Sequence, residues 1–471
     1  MLEPAKSAPT IIPAVEIDLE LIRRFDQLGP RYTSYPTADR FVEAFGADAY
    51  ESWLARRNVG GISRPLALYV HLPFCSTLCY YCGCNKIVTR DRSKGVTYLK
   101  YLTQEIALQA SALGDRVEVA QMHWGGGTPN FFTLDQVAEL SEQLRDHFDF
   151  DIEGEYSIEL DPRSADAGYV TGLREFGFNR VSLGVQDFDP DVQRAVHRIQ
   201  SEAQTLEVIA AARDNGFRSV NIDLIYGLPK QTLVSFERTL ERVIAAEPDR
   251  IAVYNYAHIP TLFKPQRRIR ESDLPASDVR LKLLALAIRC LTAAGYQYIG
   301  MDHFAKADDS LAVAQRQGRL HRNFQGYSTH ADCDLLALGV SAIGNVGPTY
   351  SQNFRALQDY YDALDRNTLP IMRGLELSAD DLLRRAVIDA LMCHFVLTKQ
   401  SFAISYLVDF NRYFESELNE LREFEQLGLV KLGDAEIRIT PKGRLLVRNI
   451  CMVFDRYLRQ DRERRHYSRV I

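Results

Sequence analysis

The sequence predicts an α/β fold: a partial (β/α)6 barrel of TIM-like form, with an N-terminal helical extension and a small, mainly helical C-terminal domain. Three observations lead there. Between Leu66 and Tyr256, short apolar or β-branched runs alternate with amphipathic stretches, the pattern of parallel βαβ units. About six such units in roughly 200 residues are too many for a small doubly wound sheet and favour a barrel or part of one. Polar or glycine-rich motifs also follow almost every strand, and in parallel sheets that edge carries the ligand.

Length and composition agree. A chain of 471 residues exceeds one ordinary core, so one large domain with smaller attachments is expected. The segments read as an extension over 1–60, the barrel over 61–305, a connecting region completing the barrel over 306–370, and the C-terminal domain over 371–471. Hydrophobic content of 46% with 25% charged residues is globular. No apolar run approaches the roughly 18–20 residues of a membrane span, and the N-terminus lacks a signal-peptide layout. Eight cysteines, four of them clustered, do not make a disulfide framework in so long a chain, and a reducing cytoplasm is expected. A net charge of −6 disfavours nucleic-acid or anionic-membrane partners. An anionic substrate would need a local basic pocket, for which Arg31, Arg163, Arg198 and the run 264–270 are candidates.

In chain order, the extension reads as a polar lead, a helix over 17–28, the loop Gly29-Pro30-Arg31-Tyr32-Thr33-Ser34-Tyr35-Pro36, a second helix near 41–56 and a Gly60-Gly61 break. Turn chemistry accounts for Gly29, Pro30 and Pro36, whereas Arg31 and Tyr32 suit a lid or substrate contact.

The first strand, 66–72, runs through a Pro73-Phe74 break into Cys75-Ser76-Thr77-Leu78-Cys79-Tyr80-Tyr81-Cys82-Gly83-Cys84. Thiolates spaced C-x3-C-x2-C on one loop can meet at a soft metal centre. Iron–sulfur clusters usually take four cysteines, at a spacing other than this one. Three ligands would leave one iron open, as a catalytic zinc site keeps a position free. Zinc with Cys84 as fourth ligand, or a set of buried free thiols, are the alternatives.

The second strand, 117–124, ends in Gly125-Gly126-Gly127-Thr128-Pro129, where glycines let backbone approach a ligand and present N–H groups to a carboxylate. The third, 156–160, ends in acids suited to ribose hydroxyls. Asp161 before Pro162 reads as a helix cap, which leaves Glu159 as the ligand candidate. The fourth, 180–185, leads to Gln186, with His197-Arg198 one short helical segment later. The fifth, 219–225, sets Asn221 and Asp223 on one face. A carboxylate there needs a partner, either a ligand at the rim or a structural hydrogen bond. The sixth, 250–256, leads into Ala257-His258.

Helices are expected at 98–112, 134–147, 201–215 and 233–246. Cys290, Cys393 and Cys451 sit in apolar helical surroundings and read as inert buried thiols, while Cys333 lies in a loop. Beyond about residue 370, helical patterns at 379–395, 410–427 and 442–459 surround a hairpin at 429–440. A winged-helix-like cover for the barrel is expected, with mixed-charge helices arguing against nucleic acid. The tail, 459–469, is charged and solvated.

The cysteine loop after a first strand, with the glycine turn one unit later, resembles the signature of the radical SAM superfamily, making the barrel one of radical SAM type. A closer resemblance is carried by His71-Leu-Pro-Phe-Cys75 through Cys84-Asn85-Lys86, His123-Trp-Gly-Gly-Gly-Thr-Pro129 and Gly184-Val-Gln186-Asp-Phe188. The stretch starting Asn221-Ile-Asp223, then Gly300-Met-Asp-His303, Asn323-Phe-Gln-Gly-Tyr327 and Arg448-Asn-Ile-Cys-Met452 extend it. Together these are similar to the oxygen-independent coproporphyrinogen III oxidases, from Arg31 to the C-terminus.

The resemblance implies a [4Fe–4S] cluster on Cys75, Cys79 and Cys82 and two S-adenosylmethionine molecules. Three thiolates suffice, which leaves Cys84 outside the cluster as a spare ligand, a redox-active thiol or a substrate-side residue. By matched position, Tyr69, Gly126, Glu159 and Ile343 contact the cluster-bound molecule. Tyr81, Gly127, Thr128, Gln186, Arg198, Asp223 and Ala257 contact the second. It further implies a radical SAM oxidoreductase of heme biosynthesis. A 5′-deoxyadenosyl radical would take hydrogen from two propionates of coproporphyrinogen III, each becoming vinyl, to give protoporphyrinogen IX without dioxygen. No catalytic side chain beyond the cofactor site is implied. Partners are a flavodoxin- or ferredoxin-like electron donor and an unidentified electron acceptor, for a cytoplasmic monomer without nucleic-acid or membrane partners. The alternative is a heme chaperone of the same superfamily, which ordinarily lacks the Gly83-Cys84 continuation and the Gly326-Tyr327 and 448–452 stretches.

Overall fold

The computed structural model describes residues 15–57 and 64–460. The polar lead, the Gly60-Gly61 break and nearly all of the charged tail lie outside them. The chain forms two compact units that interleave along the sequence: one takes residues 36–290 and 332–382, the other residues up to 35, 291–331 and those from 383 onward. The four contiguous segments read from the sequence are therefore a different partition.

The first unit holds the expected parallel strands: β1 (Leu66–Leu72), β2 (Glu118–Gly126), β3 (Asp149–Leu160), β4 (Arg180–Gln186), β5 (Ser219–Tyr226) and β6 (Arg250–Asn255). They pair in that order, each parallel to the next. β1 is buried along almost its whole length, as a strand covered on both faces must be. Crossovers are α1 (Ser93–Leu113), α2 (Leu134–His147), α3 (Ala167–Glu175), α4 (Glu202–Asp214) and α5 (Leu233–Ala245). Thr133 and Gln136 close a capping box at the start of α2, and Thr232 with Ser235 does the same for α5. β3 begins well before the predicted residue 156. Its register against β2 shifts after Val119, and the polar, glycine-containing stretch 151–154 across that shift breaks the alternation.

Residues 332–376 do more than connect. β7 (Asp334–Leu338) joins β1 as a further parallel strand, and β8 (Ile343–Val346), β9 (Thr349–Asn353) and β10 (Ile371–Glu376) continue from it as an antiparallel meander. Buried Glu105 on α1 fastens this edge. Its carboxylate accepts from Tyr360 Oη (2.6 Å), Asn353 Nδ2 (2.7 Å), the Gly339 N–H (2.7 Å) and Gln109 Nε2 (3.0 Å), the saturation that a buried carboxyl requires.

In the second unit the 29–36 loop is tied down. Tyr32 is 2% exposed and donates to Asp455 at 3.0 Å. Arg31 pairs with Asp302, and Arg448 donates to the Pro30 and Gly29 carbonyls. The expectation of a substrate contact by Tyr32 is corrected: burial leaves its ring no open face. The predicted hairpin at 429–440 is present as Val430–Leu432 and Glu436–Ile439, extended to a three-stranded sheet by Val396–Thr398. The helix read over 410–427 is split into Phe410–Tyr413 and Glu415–Gln426. Cys393 and Cys451 are buried as expected, Cys290 and Cys333 are half-buried, and all eight cysteines are free thiols. Among the described residues no helix is long and apolar enough to cross a membrane.

Candidate active site

The cysteine loop leaves β1 and is closed at its base by a short ladder. Phe74–Cys75 pairs with Ile87–Val88, with Ile87 N–H to the Pro73 carbonyl at 2.7 Å and Thr89 N–H to the Cys75 carbonyl at 2.9 Å. The glycine turn after β2 is stapled to the same base: Gly127 N–H donates to Leu72 O and Thr128 N–H to Phe74 O, both at 2.9 Å. A Cβ on Gly127 would stand 2.6 Å from the Pro73 backbone, and one on Gly126, whose φ is +112°, 2.6 Å from the His71 ring. Close approach of two backbones therefore explains these glycines. The expectation that their N–H groups face a ligand carboxylate is corrected: Gly127 and Thr128 donate to the loop base, and Gly126 to Glu159 Oε2 at 3.3 Å. What the turn can offer a ligand is carbonyl oxygen, which suits an ammonium group.

Two histidines hold the loop. The His71 Nε2 lies 3.0 Å from the Asn85 carbonyl, which can only accept, so this nitrogen carries the proton. Nδ1 then accepts from Tyr69 Oη at 3.0 Å. Burial pushes the His71 pKa down, keeping the ring neutral. His197, in a left-handed conformation at φ +54°, reaches the Leu78 carbonyl through Nδ1 at 2.8 Å.

Between the loop and the strand ends lies a cleft of about 260 Å³. Cys75, Cys79 and Cys82 line it, as do Tyr81, Gly126, Gly127, Thr128, Glu159, Gln186, Arg198 and Asp223. Tyr69, Ala257 and Ile343 are not in its wall. Tyr69 stands behind it, stacked on His123 at 6.0 Å. Ala257 adjoins the loop indirectly: Gln266 Nε2 donates both to its carbonyl, at 3.1 Å, and to that of Tyr81, at 3.0 Å. Ile343 starts β8 opposite Gln352. Sequence reasoning missed Lys86 and Ser182 as lining residues; Ser182, Gly184 and Gln186 follow one another at spacing two along β4, a periodicity that points them to one face.

Polar hydrogens converge on the sulfurs. Thr128 Oγ1 lies 3.4 Å from Cys75 Sγ, and the Arg198 and Arg163 guanidiniums lie 3.6 and 3.8 Å from Cys79 Sγ. Lys86 Nζ donates to the Cys82 carbonyl at 3.0 Å. A hydrogen bond from Cys84 and the Lys86 charge outweigh burial and hold Cys82 at about 6, whereas burial pushes Cys75 to about 11. The three thiols share the cleft wall; among the described residues no three His, Cys, Asp or Glu are grouped as around a single ion. Soft donors on three corners of one loop, with cationic neighbours and space between them, fit an iron–sulfur cluster with a vacant corner.

The acids divide by environment. Asp161 caps the 3-10 turn Pro162–Ser164 as predicted. It also pairs with Arg163 (Oδ2 2.5 Å, Oδ1 2.9 Å) and with Arg198 (3.2 Å). Burial alone would raise it, but the two guanidiniums hold it below the usual carboxylate range. Glu159 is likewise kept low against burial by His123, whose Nε2 lies 3.2 Å away. Asp223 goes the other way, to about 6, through burial and the Glu159 charge, against opposing bonds from Asn221 (2.9 Å) and Ser182 (3.1 Å). Gln186 sits at φ +68° where β4 bulges against β5, strain of a kind concentrated at ligand sites.

Comparison with known proteins adds independent findings. A model of the radical SAM superfamily matches residues 69–243, and one of the HemN C-terminal domain matches 377–446. An oxygen-independent coproporphyrinogen III oxidase of Pseudomonas aeruginosa is 50% identical over 98% of this chain and 100% of its own length. The protein of that name from Escherichia coli K12 is 50% identical, over 97% and 99% respectively. A solved structure of coproporphyrinogen III oxidase (HemN) from Escherichia coli, described as a radical SAM enzyme, matches with a TM-score of 0.90 at 48% identity. That match covers 95% of this chain and 100% of that one. The heme-chaperone alternative gains no support from these relatives.

Proposed function

Because the chain belongs to the oxygen-independent coproporphyrinogen III oxidase family of the radical SAM superfamily, we propose that it makes protoporphyrinogen IX from coproporphyrinogen III without dioxygen. Two propionate side chains are converted to vinyl groups. The observation that carries this reading is near-full-length identity of 50% to oxidases of that name, joined to a single cleft lined by all three C-x3-C-x2-C thiols.

Membership of the superfamily implies a [4Fe–4S] cluster and S-adenosylmethionine. When bound, they supply one-electron reduction and hydrogen abstraction from an unactivated carbon. The chain's own residues bind and orient. Cys75, Cys79 and Cys82 would hold the cluster, and the Thr128, Arg163 and Arg198 donors beside two of the sulfurs would tune it, as outer-shell hydrogen bonds do.

Two S-adenosylmethionine molecules are part of the proposal. Tyr69, Gly126, Glu159 and Ile343 serve the first; Tyr81, Gly127, Thr128, Gln186, Arg198, Asp223 and Ala257 serve the second. Ionised Glu159 is suited to accept from hydroxyl or ammonium groups. Arg198, already committed to Asp161, acts as a fixed positive charge rather than as a free clamp. Each propionate loses a hydrogen atom, carbon dioxide and one electron, so no side chain needs to move a proton. A flavodoxin- or ferredoxin-like donor, a separate electron acceptor, a cytoplasmic setting and a monomeric state complete the proposal.

Anaerobic reconstitution with iron and sulfide, then incubation with coproporphyrinogen III, S-adenosylmethionine, dithionite and an added oxidant, tests the reading by product mass. Loss of two carboxyl groups per substrate is expected. A brown protein that cleaves S-adenosylmethionine and leaves the substrate mass unchanged would reject this substrate.

A further inference from the structure

The cysteine loop has an outer cover that the reaction itself does not use. Three residues of the segment 262–270 contact the cysteine loop. The Phe263 ring lies against Gly83, where a Cβ would be only 3.0 Å from it. Gln266 is buried and bonds the Tyr81 carbonyl at 3.0 Å. Arg268 lies over the Tyr80 ring at 5.2 Å and donates to its hydroxyl at 3.3 Å. All three contacts fall on residues 80–83, between Cys79 and Cys84. The thiols and this segment are thus two layers of one wall.

The solvent side of that wall is cationic in a chain whose net charge is −6. Lys264, Arg267 and Arg270, by sequence candidates for an anionic-substrate pocket, are exposed and do not line the cleft, and no acidic residue occurs from Arg250 to Arg270. Asp273, just beyond, is neutralised by Lys230 at 2.5 Å; Glu271 is the one exposed acid close in sequence. Leu262 is 65% exposed beside these cations. A cationic stretch on an otherwise acidic chain favours an acidic partner, because complementary charge sets the encounter rate.

An electron must enter from outside before turnover, and electron transfer weakens steeply with distance. A donor therefore has to dock close to the thiol loop, and residues 262–270 lie directly over its residues 80–83. We propose, resting on the function above, that the outer face of 262–270 is the docking surface for an acidic one-electron carrier protein. The carrier's reduced cofactor gives up one electron, the thiolate-held centre gains it, and no bond forms between the proteins.

The test compares the cluster-loaded full chain with its Lys264→Glu/Arg267→Glu/Arg270→Glu variant, under anaerobic conditions, with a flavodoxin as the acidic probe. Two readouts are taken: the dissociation constant by biolayer interferometry across a salt series, and flavodoxin hydroquinone oxidation by stopped flow. At low salt, binding by the variant is expected to weaken about tenfold or more, with its salt dependence flattened. Dithionite-driven vinyl formation and its KM for coproporphyrinogen should be unchanged. The corresponding triple Gln variant should fall between the two and serves if charge reversal harms folding.

Equal flavodoxin affinity and equal salt slope in all three proteins would overturn the proposal. So would a raised KM in the dithionite assay, which would assign the cations to the substrate's carboxylates. Absence of vinyl product with dithionite in the unmodified chain would instead defeat the proposed function, while the binding comparison still decides the docking face.

Discussion

Replacing His71 by Phe keeps a ring of similar size under Gly126 but removes both polar contacts of the imidazole. The Asn85 carbonyl loses its donor at 3.0 Å and the Tyr69 hydroxyl its acceptor at 3.0 Å. Each orphaned group costs about 1–3 kcal/mol. Only the Asn85 contact ties the loop to β1, since Tyr69 and His71 share that strand. Loop closure therefore weakens by about 1–3 kcal/mol, a factor of roughly 5 to 100. Because Asn85 follows Cys84 directly, the loss falls on the thiol loop rather than on global stability. Hydrogen exchange of amides 76–86 should accelerate by about that factor, and iron release to a chelator should quicken with it. His71→Gln supplies an acceptor oxygen and a donor nitrogen and should recover most of the difference. The sign with pH follows from burial, which lowers the folded pKa below 6.5. Below pH 6.5 the unfolded chain binds a proton that the folded one resists, so this contribution falls with falling pH until the folded pKa is passed. The Phe variant should lack that dependence. Exchange and iron retention indistinguishable between the unmodified chain and His71→Phe would refute the reasoning.

Three further outcomes are expected. Gly127→Ala puts a methyl 2.6 Å from the Pro73 backbone; it should cost about 1–3 kcal/mol and abolish cluster loading, read as lost brown absorbance. Glu105→Ala strips the acceptor from Tyr360, Asn353, Gly339 and Gln109, and chemical denaturation should show a loss of about 3–5 kcal/mol, with Glu105→Gln milder. Asp161→Asn leaves two guanidiniums without their counter-charge and should destabilise by about 3 kcal/mol at pH 7. The difference should shrink as pH falls below 3.8 and through the lowered folded pKa, where the native carboxyl is itself protonated.

What was legible in the sequence follows from how local each signal is. β1 to β6 declare themselves because each is a short apolar run closed by turn chemistry. The cysteine loop declares itself because no packing demand explains four thiols in ten residues. β7 to β10 are not read as strands within the region expected to complete the barrel: Asp334–Leu338 offers only four apolar residues after an acid, and only its pairing with β1, far back in the chain, makes it part of the sheet. The glycine turn was placed correctly, but its N–H groups were assigned outward, since nothing local reveals that Leu72 and Phe74 carbonyls lie within reach. Tyr32 misled for a related reason. A tyrosine in a Gly-Pro loop resembles a surface contact until Asp455, more than 400 residues away, is found as its acceptor. The resemblance by position brought in Tyr69, Ala257 and Ile343, which the cleft geometry alone would not have chosen.

Asp223 separates a ligand-binding role from a structural one by the direction of a stability change. Its carboxyl lies among Asn221, Ser182 and the Glu159 charge, and its pKa rises from 3.8 to about 6. Between those values the unfolded chain ionises while the folded one does not, so stability falls as pH rises and stays lower above about 6. At pH 7 an ionised Asp223 thus costs the fold about 2–3 kcal/mol relative to a neutral side chain of the same shape. Asp223→Asn keeps an oxygen for the Asn221 amide, and the Ser182 hydroxyl can turn to accept from the new amide. If the carboxylate is retained for a ligand, this variant should melt higher than the unmodified chain at pH 7, by about 2 kcal/mol, and equally at pH 4. It should at the same time lose affinity for S-adenosylmethionine. A carboxylate kept only for its hydrogen bonds to Asn221 and Ser182 predicts the reverse, a less stable variant with normal affinity. Calorimetry at the two pH values with equilibrium dialysis of the ligand decides between them, and a destabilised Asp223→Asn that binds normally would remove Asp223 from the ligand site.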